Sequence, residues 1–111
     1  MAILQALAAA GVPLYAITNF SEEKYLETRA RFGFLGLFRD VVVSGKERLL
    51  KPDPAIYRLC LGRNGLRAAD CVFVDDNADN VAGAAAVGID AIRFTDAAAL
   101  AAELGRRGMM V

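Results

Sequence analysis

The sequence predicts an α/β fold: a single domain in which a parallel sheet carries helices on both faces. Two patterns predict it. Helix-like and strand-like segments alternate strictly along the chain, the order that builds parallel sheets through helical crossovers. The strand-like segments are short continuous apolar runs, such as Leu14-Tyr15-Ala16-Ile17 and Val41-Val42-Val43, which mark strands covered on both sides. A third observation, the length of 111 residues, suits one domain over 1–111, since domains commonly run about 100–150 residues.

The elements follow in order. Residues 3–10 read as the end of a helix, with Ile3, Leu4 and Leu7 on one face and Gly11 as its stop. Residues 14–17 form the first strand. Ser21 is the cap of a helix running to Phe32, and Glu22 and Glu23 complement its N-terminal dipole. Gly33 and Gly36 punctuate a turn before the second strand at 41–43. In Lys51-Pro52-Asp53-Pro54, Pro52 keeps Lys51 out of helical geometry, Asp53 can cap and Pro54 fits the first helical position. A helix then runs to about Arg63. The third strand, 71–74, stops abruptly at Asp75-Asp76-Asn77. A helix over 78–87 is closed by Gly88, a fourth strand spans 89–94, and Asp96 caps a last helix ending near Gly105. Right-handed crossovers put every strand C-terminus on one edge, where α/β folds bind ligands.

Composition narrows the classes of function. Basic and acidic side chains number 13 each, and this balance argues against a nucleic-acid partner, which favours a basic face. At 56% hydrophobic and 23% charged, the chain is no disordered tail. No apolar run nears the roughly 20 residues of a membrane span, and Met1 opens no basic, then apolar, then cleavable leader. The expectation is a cytoplasmic protein with no membrane partner. Cys60 and Cys71 are too few for a disulfide scaffold and have no histidine to pair with. They read as small core residues, not as a zinc site or a catalytic thiol.

Three polar clusters fall just past strand ends, so all can converge on one crevice. Thr18-Asn19 follows the first strand. Its hydroxyl and backbone N–H groups can donate to a phosphoryl oxygen, or the pair can simply end the strand with local turn bonds. Lys51 is either a fixed positive charge facing the crevice or an ordinary surface lysine, and Pro52 fixes where its side chain departs. Asp75-Asp76 ends the third strand. Adjacent carboxylates repel unless a cation or a lysine sits between them, and hard oxygen donors of this kind suit Mg²⁺. Alternatively Asp76 or Asn77 caps the helix that follows, but a cap needs only one carboxylate and leaves the second unexplained. Asn80, one turn on, either orients Asp76 or the lysine, or is solvated. Gly83 is expected to allow close helix–sheet packing.

Thr18-Asn19, then Lys51-Pro52-Asp53-Pro54, then Val74-Asp75-Asp76-Asn77 and the segment Val81-Ala82-Gly83-Ala84-Ala85-Ala86-Val87-Gly88, resemble the second, third and fourth motifs of the haloacid dehalogenase-like (HAD) hydrolase superfamily. The likeness spans nearly the whole chain, with the motifs in the family's order. It implies a Rossmann-like three-layer sandwich and, for most members, a Mg²⁺-dependent phosphatase that passes through an aspartyl-phosphate. Carried over, Thr18 hydrogen-bonds the transferring phosphoryl group with help from the Asn19 backbone. Lys51 neutralises phosphoryl group and nucleophile, and Asp75 and Asp76 hold Mg²⁺. The implied partner is a small phosphorylated substrate. The superfamily's 2-haloacid dehalogenases need no metal and lack the adjacent acidic pair, so Asp75-Asp76 favours the phosphatase branch. Response-regulator receiver domains use a similar set of residues but place the acidic pair first, against the order here.

One departure is large. The family's first motif, an apolar strand ending in Asp-x-Asp, supplies the nucleophile, and no such sequence occurs in residues 1–111. In the family that strand lies mid-sheet, between the strands ending here at Thr18 and Asp75, and a small cap domain follows it. The expectation is therefore the C-terminal portion of a longer enzyme, lacking first strand and cap. It should be inactive alone, with a gap or re-pairing in its sheet and self-association through unpaired strands. A metal-free dehalogenase and a non-catalytic interaction module are the alternatives.

Overall fold

A computed structural model of the chain describes residues 2–31 and 33–109. Helix α1 (Ala2–Ala9) leads into strand β1 (Tyr15–Thr18), helix α2 (Glu22–Arg31), a 3₁₀ turn (Gly33–Leu37) and strand β2 (Asp40–Val43). The short helix α3 (Ser44–Glu47) precedes α4 (Pro54–Arg63), a second 3₁₀ turn (Ala68–Asp70) and β3 (Val72–Asp75). Helix α5 (Ala78–Ala86), strand β4 (Asp90–Arg93) and helix α6 (Ala97–Arg106) complete the order. No helix among the described residues is long and apolar enough to cross a membrane.

Local chemistry explains most boundaries. The Asp53 carboxylate accepts from Ala55 N at 2.9 Å with Pro54 at the first helical position, so α4 starts where its cap is satisfied. Asn77 caps α5 and Asp96 caps α6 in the same way. Ser21 Oγ accepts from Lys24 N at 3.1 Å at the head of α2. Gly88, with φ of 92°, ends α5 in the left-handed region that glycine adopts without strain. The expected helix end at Phe32 lies outside the described residues.

The strands pair in parallel as two separate ladders. β1 pairs with β2, setting Tyr15 against Asp40 and Thr18 against Val43. β3 pairs with β4, setting Val72 against Asp90 and Asp75 against Arg93. No ladder joins β1 to β3 among the described residues, so each of these strands keeps one edge unpaired.

Side-chain packing on both faces holds the two ladders together. Because successive strand residues point to opposite faces, Phe73 and Ala91 join one core while Val72 and Ile92 join the other. The first core gathers Ile56, Tyr57 and Cys60 of α4 and Ala84 of α5 against Tyr15, Ile17 and Val42 of the first ladder and Phe73 of the second. The second packs Leu7 of α1 and Leu104 of α6 over Leu14, Val72 and Ile92. The result is the expected three-layer α/β arrangement, with its sheet divided at the middle.

Candidate functional site

The strand C-termini share one edge, and the polar residues singled out in the sequence meet there. The Asn19 side chain, just past β1, binds the main chain of Lys51 twice. Its Oδ1 accepts from Lys51 N at 2.9 Å, and its Nδ2 donates to Lys51 O at 3.3 Å. The loop before α4 is thereby tied to the end of β1. Sequence reasoning assigned Asn19 a backbone role, whereas the structure shows its side chain fixing Lys51.

Lys51 in turn reaches β3. Its Nζ donates to Asp75 Oδ2 at 2.7 Å, with only 12% and 10% of the two side chains exposed. The ammonium also stands 5.9 Å from the centre of the Phe73 ring. Asp75 is saturated with donors: Asn80 Nδ2 reaches Oδ2 at 3.1 Å, and Asn77 N reaches Oδ1 at 3.0 Å. Burial alone raises the Asp75 pKa. The Lys51 hydrogen bond, the Asn77 amide, the lysine's charge and Asn80 outweigh it and hold the carboxyl below the usual carboxylate range.

Asp76 differs from its neighbour. It is exposed, and its main-chain oxygen accepts from Arg93 Nε at 3.2 Å. Its carboxylate makes no hydrogen bond or ion pair among the described residues. Asn77, not an aspartate, caps α5, accepting from Asp79 N at 2.9 Å and Asn80 N at 3.1 Å. The capping explanation of the acidic pair therefore falls away. Thr18 Oγ1 makes a long 3.5 Å bond to the Val42 carbonyl, so its hydroxyl sits at the same edge but outside the Asn19–Lys51–Asp75 network.

Two features were not read correctly or at all from sequence. Asn80 orients Asp75, not Asp76 or the lysine, and it is buried instead of solvated. Gly83 packs on a loop and a helix, not on the sheet: a Cβ there would fall 2.8 Å from both Pro52 Cβ and Pro52 O, and 3.1 Å from Tyr57 Cε2. Cys60 is buried as expected, while Cys71 is half-buried with its thiol donating to Arg67 O at 3.3 Å. Burial pushes both thiols up in pKa, which makes them poor nucleophiles.

Among the described residues no three His, Cys, Asp or Glu side chains converge as a metal cage. The strand edge offers one open carboxylate and one held by lysine. That set matches a hard, well-hydrated cation, which takes one or two carboxylates and fills its remaining positions with water or phosphate oxygens.

Fold and site together define a three-layer α/β domain with a lysine–carboxylate pair at its strand ends. A sequence model of haloacid dehalogenase-like hydrolases matches residues 1–88, and the chain belongs to that family. It is 33% identical over 102 residues to the sesquiterpene phosphatase astK of Aspergillus oryzae, covering 92% of this chain and 52% of that protein. It is 34% identical over 92 residues to (S)-2-haloacid dehalogenase 1 of a Pseudomonas species, covering 82% and 40% respectively. Among solved structures, a HAD phosphatase from Thermococcus onnurineus superposes with a TM-score of 0.77 at 26% identity, over 86% of this chain and 44% of that one. The chain spans about half the length of the curated relatives it matches.

Proposed function

We propose that these residues form the metal- and phosphate-holding part of a Mg²⁺-dependent phosphatase, which cleaves a small phosphorylated metabolite through an aspartyl-phosphate. The observation that carries this reading is the Lys51–Asp75 pair, 2.7 Å across, beside the open carboxylate of Asp76. A nearly buried ammonium fixed at a strand edge is a preorganised countercharge for a transferring phosphoryl group. Both Asp75 oxygens are committed to protein donors. Asp76, whose carboxylate is open, would then hold the ion, with Asp75 behind it held by Lys51. Such an ion would supply positive charge to offset that developing on the phosphoryl oxygens. Thr18 would exchange its long bond to Val42 for one to a phosphoryl oxygen, and Asn19 holds Lys51 in place from its main-chain side.

The attacking carboxylate is absent from this scheme's own residues, because no apolar strand here ends in Asp-x-Asp. We place it on a strand seated between β1 and β3, each of which has an edge outside any ladder. The 111 residues are then expected to bind Mg²⁺ while leaving phosphate esters intact. Likeness to a haloacid dehalogenase supports a second reading, metal-free dehalogenation, and the same experiment separates the two. Calorimetric titration with Mg²⁺ should show saturable binding that Asp76→Ala abolishes. Equal heats from both proteins would sink the phosphatase reading.

A further inference from the structure

We infer that Tyr57 is a positioning residue for this site: its hydroxyl and ring fix the start of α5 and the support beneath Lys51, so that Asn80 and Lys51 both meet Asp75. Its functional meaning rests on the phosphatase reading above. Tyr57 touches neither phosphate nor ion, since it is fully buried on α4. Three contacts carry the inference. Its hydroxyl donates to the main-chain oxygen of Asn80 at 2.7 Å, while the side chain of that same Asn80 donates to Asp75 at 3.1 Å. Its ring meets Phe73 edge-on, with centroids 5.4 Å apart and planes at 88°. Phe73 is the ring beneath the Lys51 ammonium, two residues before Asp75 on the same strand face. Lastly, Gly83 lets α5 lie directly against Tyr57 and Pro52, the residue next to Lys51.

One side chain thus braces three supports of the lysine–carboxylate pair. A tyrosine serving only to fill the core would need no such target for its hydroxyl, because phenylalanine fills nearly the same space. The hydroxyl also stays protonated. Burial, and secondarily the charge of Asp75, pushes its pKa up to about 12, so it remains a donor throughout the neutral range.

The test uses the full chain and Tyr57→Phe, which keeps the ring and removes only the donor. In NMR spectra recorded without metal, the Asn80 side-chain amide signals should shift and the first-turn amides of α5 should exchange faster. Titrated with Mg²⁺ alone, the variant should bind about fivefold more weakly, the equivalent of one ordinary hydrogen bond. Ile56→Val is the control, because Ile56 is equally buried in the same core and makes no bond to Asn80. It should lower the melting temperature yet keep wild-type Asn80 signals and Mg²⁺ affinity. If Tyr57→Phe also loses only melting temperature, Tyr57 is a core residue and the inference is overturned. If the wild-type chain takes up no Mg²⁺, the phosphatase reading fails, and the Asn80 signals still decide whether Tyr57 positions that residue.

Discussion

Lys51→Met tests the electrostatics of the site most directly. The substitution keeps an unbranched apolar stem near Phe73 and deletes the ammonium. Asp75, with its side chain 10% exposed, then keeps its donors from Asn77 and Asn80 and loses the only charged partner it has among the described residues. Breaking a fully buried ion pair costs about 3–5 kcal/mol, and the two remaining donors reduce that to about 2 kcal/mol here. The loss should depend on pH with a definite sign. The Asp75 carboxyl is depressed in the folded chain, the lysine's bond and charge helping to outweigh the upward push of burial. A depressed carboxyl contributes stability that is present above its unfolded value, about 4, and lost as pH falls through the folded value. The gap between wild type and variant should therefore be full at pH 7 and shrink steadily below about pH 4. Urea denaturation followed by circular dichroism at pH 7 and pH 3 measures it. A gap that is the same at both pH values, or below about 0.5 kcal/mol at pH 7, would refute an ion pair that matters to the fold.

Two further substitutions probe the scaffold. Gly45→Ala improves the helix propensity of α3 by about 1 kcal/mol, yet its Cβ would sit 2.8 Å from Glu22 N and Ser21 Cα and 3.0 Å from Phe20 O. All three are main-chain atoms with little room to give, so thermal unfolding should show a net loss of about 1–3 kcal/mol. Asp96→Ala removes the oxygen that accepts from Ala99 N at 2.7 Å. It should cost about 1 kcal/mol, with faster hydrogen exchange confined to the first turn of α6.

What the sequence makes legible here is mainly local. Asp53, Pro54, Asn77 and Asp96 act within three residues of themselves, and the helices begin where those residues predict. Apolar runs locate all four strands but misplace their ends. The third run breaks at Asp75, yet β3 includes it, because the Asp75 main-chain oxygen still accepts from Phe94 N at 2.8 Å whatever its side chain is. Helix α3 escapes notice since four residues with a glycine among them show no period. The candidate site was legible as residue types at strand ends, and Lys51, Asn19 and Asp75 do meet. Their particular partners were not. The bonds from Asn19 to Lys51, Lys51 to Asp75 and Tyr57 to Asn80 join residues 32, 24 and 23 positions apart, and no local pattern records such distances. Alternation of elements likewise predicts parallel strands without saying which edges find a neighbour.

The division of the sheet bears on how the chain folds. Among the described residues each ladder joins consecutive strands, β1 to β2 and β3 to β4, so each strand pairing closes within one half of the sequence. Pairing over short separations favours rapid folding, and the second half can condense around its connecting helix α5, which packs on both β3 and β4. Docking of the halves then falls to α4, whose Ile56, Tyr57 and Cys60 reach both. Asn19 belongs to the first half, Asp75 and Asn80 to the second, and Lys51 to the segment between them. On this order the charged network is the last structure to assemble. Its Asn80 and Lys51 signals would then report completion of the whole fold, and local fraying of either half would silence the site before it unfolded the core.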